Sequence, residues 1–138
     1  MFEVKDSDRE VFKQELADFL PGRIFDAHVH ISDRASLRGE LGPTDYRTKF
    51  GGKFEYSDWL AATAQIMPDR DIYANIFGSP DRRTDRDAAD RFTGLQVDGE
   101  HCFGMALTSP DDSAAEIGRR IAANRLIGQR RDFGPRLE

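Results

Sequence analysis

Seven residues, Phe25-Asp26-Ala27-His28-Val29-His30-Ile31, constrain this chain more than any others. In an extended strand alternate side chains share a face. The run therefore predicts a strand over Ile24 to Ile31, with Phe25, Ala27, Val29 and Ile31 packing on one side. Asp26, His28 and His30 then face the other way. Imidazoles two residues apart sit about 7 Å apart along a strand. Their rings can close on one cation at the Zn–N distance of about 2.0–2.1 Å. The alternative is a pair of core histidines satisfied by hydrogen bonds, but two such groups on one buried face are costly without partners. His28 and His30 are thus the expected ligands of a divalent metal, zinc by ligand type. Asp26 either orients the ligating rings, as carboxylates often do, or holds local backbone.

The segments around this strand follow a simple rhythm. Asp8 to Leu20 has Phe12, Leu16, Phe19 and Leu20 on one helical face and stops at Pro21-Gly22. Ser32 to Tyr56 is a long loop broken by Gly39, Gly42, Pro43, Gly51 and Gly52. Loops of that length are usually functional or disordered. Ser57 is the expected N-cap of a helix to Met67, and Ile72 to Phe77 is the next strand. Thr84 and Asp87 have capping-box spacing before a helix to about Leu95. Asp98-Gly99 signals a turn, and His101 to Leu107 a third strand. Ser113 and Glu116 open a last helix to Ala123, and Leu126-Ile127-Gly128 begins a fourth strand. Strands alternating with helices predict an α/β fold with a parallel sheet and right-handed crossovers.

Composition narrows the function. Twenty basic residues against 25 acidic give a net charge of −5. That lacks the basic footprint that nucleic acid or an anionic membrane requires, so neither is an expected partner. Cys102 is the only cysteine, which excludes an intrachain disulfide and a cysteine-based zinc site. The first residues show no secretory pattern and no apolar run reaches a membrane span, so the expected compartment is the cytoplasm. The 38% apolar and 33% charged content points to much exposed helix surface, or to a chain that lacks part of its fold.

In this context the stretch Phe19-Leu20-Pro21-Gly22-Arg23-Ile24-Phe25-Asp26-Ala27-His28-Val29-His30-Ile31 resembles the N-terminus of the amidohydrolase superfamily, in its amidohydrolase-2 branch. The similarity runs from about residue 8 to about residue 128. TatD-like nucleases and PHP-type phosphoesterases also carry a strand-borne H-x-H pair. The long glycine-broken first loop and the preceding helix favour the amidohydrolase branch. The resemblance implies a TIM-type (β/α)₈ barrel with helices on the outer side of the sheet. It implies a divalent metal at the C-terminal strand ends, with His28 and His30 as first-strand ligands and later-strand histidines and an aspartate completing the set. Such a barrel takes about 250 residues. The 138 here are expected to supply its N-terminal portion: a partial barrel domain over 1–128, and an irregular tail over 129–138. Homo-oligomerisation or a missing C-terminal portion would complete it.

The implied activity is metal-dependent hydrolysis of a small carboxylate-bearing lactone, amide or related compound. Alternatives are decarboxylation on the same scaffold, or a non-catalytic partial barrel that needs a complementary chain. The isolated chain is expected to be inactive. Arg34, Arg38 and Arg47 lie in the first loop, which sits over the active site of a barrel. They are candidate carboxylate binders, since arginine grips carboxylates bidentately. The plain alternative is ordinary surface charge, as it also is for Arg82 and Arg83. His101 starts a strand instead of ending one, the wrong end for a barrel site. His101 and Cys102 face opposite sides and cannot act on one atom, which leaves Cys102 a small buried hydrophobe.

Overall fold

The computed structural model describes residues 3–131. Four strands, β1 (Arg23–Ile31), β2 (Asp71–Gly78), β3 (Cys102–Thr108) and β4 (Gly128–Arg131), form one sheet in the order β1-β2-β3-β4. Every neighbouring pair is parallel. Helix α1 (Asp6–Val11) runs on into a π-helical turn over Phe12–Leu16. Helices α2 (Tyr56–Ile66), α3 (Arg86–Gln96) and α4 (Ala114–Ala123) fill the three crossovers. The expected alternation of strand and helix is therefore present. No helix among the described residues is long and apolar enough to cross a membrane.

The strand expected to end in an irregular tail instead continues. Gly128 to Arg131 pair with Met105 to Thr108, so the tail expected from residue 129 begins no earlier than 132. Residues 132–138 lie outside the described residues. Two caps also move. Asp58 accepts the Glu55 backbone N–H at 2.9 Å, so α2 starts ahead of Ser57, which places both Tyr56 and Trp59 against the core. Asp85, not Thr84, caps α3 by accepting from the Ala88 N–H, while the Thr84 hydroxyl donates to the Ser79 carbonyl. Ser113 and Glu116 form the expected capping box.

The core lies between the sheet and its helices. Val29, Ile31, Ala74, Ile76 and Cys102 pack together, joined by Tyr56 and Trp59 of α2 and Phe92 of α3. Burial pushes the Cys102 thiol up to about 12, which suits an inert packing group. Small residues let the helices approach closely. A Cβ at Gly94 of α3 would lie 2.5 Å from the Asn124 carbonyl oxygen at the end of α4. A Cβ at Gly118 in α4 would meet nothing within 4 Å.

These two glycines separate propensity from packing. Alanine gains about 0.8–1.0 kcal/mol over glycine inside a helix, whereas overpacking costs about 1–3 kcal/mol. Gly118→Ala should raise stability by up to about 1 kcal/mol. Gly94→Ala should lower it by about 1–2 kcal/mol, because a backbone carbonyl cannot step aside cheaply. Urea unfolding of both variants measures this. Equal gains at the two positions would show that α3 and α4 do not meet at Gly94.

Candidate metal centre

The strand that carries the histidines is not regular. Asp26 pairs with Ala74 and Val29 with Ile76, so three steps of β1 advance against two of β2. This β-bulge resets the alternation, since an extra residue shifts every later side chain to the other face. Paired residues share a side of the sheet. Ile24, Asp26, Val29 and Ile31 therefore lie on the helix side with Ile72, Ala74, Ile76 and Gly78. Phe25 and His30 lie on the opposite side with Tyr73 and Phe77. Two expectations are corrected here. Asp26 does not share a face with the histidines, and Phe25 does not pack with Val29 and Ile31. Phe25 is instead 54% exposed, with its ring 6.3 Å from that of Phe103.

Asp26 takes the second of its expected roles, holding local backbone. Its Oδ1 accepts the backbone N–H of His28 at 3.0 Å, inside the bulge. It thereby satisfies a backbone donor at the irregularity. The bulge brings the two rings together. The Nε2 atoms of His28 and His30 are 3.1 Å apart, and both rings stand edge-on to Phe77, with centroids 5.0 and 4.7 Å from it. His30 Nδ1 lies 3.3 Å from the Gly78 carbonyl oxygen. A carbonyl only accepts, so Nδ1 carries the proton and Nε2 of His30 keeps its lone pair. Without metal, His28 can donate its Nε2–H to that lone pair. Two nitrogens each about 2.0–2.1 Å from one ion are separated by about 2.9 Å at a right angle and about 3.3 Å at the tetrahedral angle. The observed separation falls between these limits. Among the described residues, no third His, Cys, Asp or Glu converges on the pair. His101 is at the other end of the sheet, stacked on Tyr73 at 4.6 Å and 3.4 Å from Asp71.

The loop after β1 folds over this end of the sheet. Ser32 and Phe54 exchange backbone hydrogen bonds at 3.0 and 2.8 Å and close its base. Arg34 donates to the carbonyls of Leu37 and Gly39, so it staples the loop to itself. Arg38 is exposed and reaches Asp85 at 3.6 Å. Arg47 is only 4% exposed. It grips Asp45 through Nε at 2.8 Å and a terminal nitrogen at 2.6 Å, and Asp81 at 2.7 Å. Arg83 bridges the same carboxylates at 3.1 and 2.9 Å. In this structure Arg47 is thus held by two carboxylates of the chain itself, and Arg34 by backbone carbonyls. Sequence reasoning missed Asp45 and Asp81, which look like any loop carboxylate until the fold brings them to one pair of guanidiniums.

No protein-family model, curated protein or solved structure matches the chain.

The four-charge cluster sets how the loop responds to acid. Hydrogen bonds from Arg47 hold the Asp45 carboxyl well below its ordinary value of 3.8, and those from Arg83 do the same for Asp81, against burial that pushes each up. Folded values below unfolded ones mean that this stabilisation is complete above the unfolded carboxylate value and is lost as pH falls through the folded value. Arg47→Met should cost about 2–3 kcal/mol at pH 7, less than a fully stranded charge because Arg83 still bridges the pair. The deficit should shrink at pH 3. Urea unfolding at both pH values tests this, and a deficit independent of pH would remove the electrostatic account.

Proposed function

We propose that this chain supplies the first three βα units and the fourth strand of a (β/α)₈ barrel of the amidohydrolase type, whose metal-dependent chemistry is hydrolysis of a small lactone, amide or related compound. One observation carries the reading: the two imidazole Nε2 atoms lie 3.1 Å apart at the C-terminal end of a parallel strand. Parallel strands with helices on one side place ligands at that end. A divalent ion held there would polarise a carbonyl and acidify water, and imidazole nitrogen suits zinc. The chain's own part is positioning. Gly78 fixes the His30 tautomer, Phe77 supports both rings, and Asp26 holds the bulge that aligns them. Such supports matter to metal affinity as much as the ligands they orient.

A second reading, that the chain binds metal without catalysis until another chain completes it, is favoured by a specific observation. The described residues offer two imidazoles and no third metal-binding group. Catalytic zinc sites normally hold three protein ligands and keep one position open.

Zinc titration of the 138-residue chain should show weak, saturable binding. The His28→Ala, His30→Ala double variant should lower the affinity at least about tenfold, since the ligand pair is removed. Zinc uptake that survives the double variant would discard the metal reading. Lactone or amide turnover by the chain alone should be negligible. A rate of several per second that vanishes on chelation would instead show that the chain completes the site by itself or with a second copy.

A further inference from the structure

Beside His30 the loop borders a partly open chamber of about 150 Å³. His30, Ser32, Tyr46, Phe50, Phe54 and Ser79 line it. Its walls are three aromatic rings in the arrangement such rings prefer. Tyr46 and Phe50 are 6.1 Å apart and edge-on, and Phe50 and Phe54 are 5.3 Å apart and tilted. Its polar rim is small. The Tyr46 hydroxyl meets the Ser79 hydroxyl at 3.1 Å, and the Ser32 hydroxyl donates to the Gly52 carbonyl. An apolar cavity of about this volume holds one benzene-sized ring.

We propose that this chamber is the substrate-ring pocket of the histidine centre, and that it takes an uncharged planar ring bearing a carbonyl or hydroxyl oxygen, not a carboxylate. The argument is electrostatic. The chamber's walls are mostly apolar ring surface, which offers a carboxylate little in exchange for its water. A carboxylate moved off water needs a cation or several donors. The chamber's lining contains no arginine or lysine. Arg47 lies over the Tyr46 ring at 5.7 Å, but its guanidinium is held by Asp45 and Asp81, and Arg34 donates to the carbonyls of Leu37 and Gly39. A neutral ring meets none of these costs. Its oxygen, placed at the His30 side, would face the nitrogen pair. The proposal rests on the metal reading only for that orientation; the pocket's choice of a neutral ring stands without metal.

Benzamide and benzoate test it, because they match in size and differ in charge. Titrations followed by ligand-observed NMR, first with EDTA and then with zinc, separate the two readings. With EDTA, benzamide should bind at least about tenfold more tightly than benzoate. Phe50→Ala should weaken benzamide at least about fivefold by removing one wall. Ser79→Leu should abolish binding by filling the chamber, while keeping the backbone acceptor that Thr84 uses. Two variants are needed because Phe50→Ala could loosen the loop; far-UV circular dichroism checks both. Benzoate binding as well as benzamide overturns the proposal, and so does absence of binding by either at 20 mM, roughly the weak limit for ligands this small. Benzamide binding unaffected by both variants overturns it too. Benzamide binding in EDTA with no zinc uptake upholds the pocket and discards the metal reading alone.

Discussion

The bulge between Asp26 and Val29 is the constraint on which the rest of this structure depends. A regular strand would put Asp26, His28 and His30 on one face and Phe25 with the core. One extra residue divides the strand into two phases. Before it, Ile24 faces the helices; after it, Val29 and Ile31 do. Both halves of β1 therefore contribute to the same apolar layer, and the histidines are left on the open side. At the bulge the His28 N–H donates to the Asp26 carboxylate. A bulge costs ladder hydrogen bonds and re-aims side chains, which is why bulges cluster beside functional sites.

Charge is arranged so that the loop over the site is held firmly yet presents little net charge to it. Two arginines and two aspartates cancel one another within a few ångströms, and the Arg47 guanidinium also lies over the Tyr46 ring of the aromatic wall, 5.7 Å from its centroid. Single surface ion pairs contribute about 0–1 kcal/mol. A bidentate pair with Arg47 buried, shared by a second guanidinium, belongs to a stronger class. A segment this long, with only short 3₁₀ turns at Arg34–Ser36 and Tyr46–Phe50, is held by this cluster and by the Ser32–Phe54 and Leu37–Thr84 bridges.

The sequence displayed the parts of the fold that are local. Hydrophobic runs, capping boxes and turn signals located the strands and helices, and Ser113-x-x-Glu116 was legible to the residue. The histidine pair was legible because its spacing survives the bulge. What stayed hidden depends on residues far apart in the chain. The bulge shows only against the register of β2, since nothing in Asp26-Ala27-His28 announces it. Arg47 reads as a surface cation until Asp81, 34 positions later, is folded beside it. The chamber's third wall, Phe54, arrives only when Ser32 pairs with it. The fourth strand was cut short because Gln129-Arg130-Arg131 has no apolar pattern, yet strand pairing is a backbone matter and β3 offers its edge.

Gly78 shows how closely the packing side and the chemical side of this sheet are joined. On the helix side, a Cβ there would lie 3.0 Å from both Ala89 of α3 and a methyl of Leu107. Its absence lets α3 settle onto β2. The carbonyl of the same residue accepts the proton of His30 Nδ1. Any side chain at 78 would lever β2 away from α3, and with it the acceptor that sets which imidazole nitrogen keeps its lone pair. Phe77, one position earlier and 1% exposed, carries both histidine rings and would move by the same displacement. A tolerance of a few tenths of an ångström at an interior glycine is thereby passed to the separation of two nitrogens on the opposite face. Close packing transmits such shifts because interiors have no slack to absorb them. The geometry of the histidine pair is in this sense set by helix–sheet contact as much as by the strand that carries it.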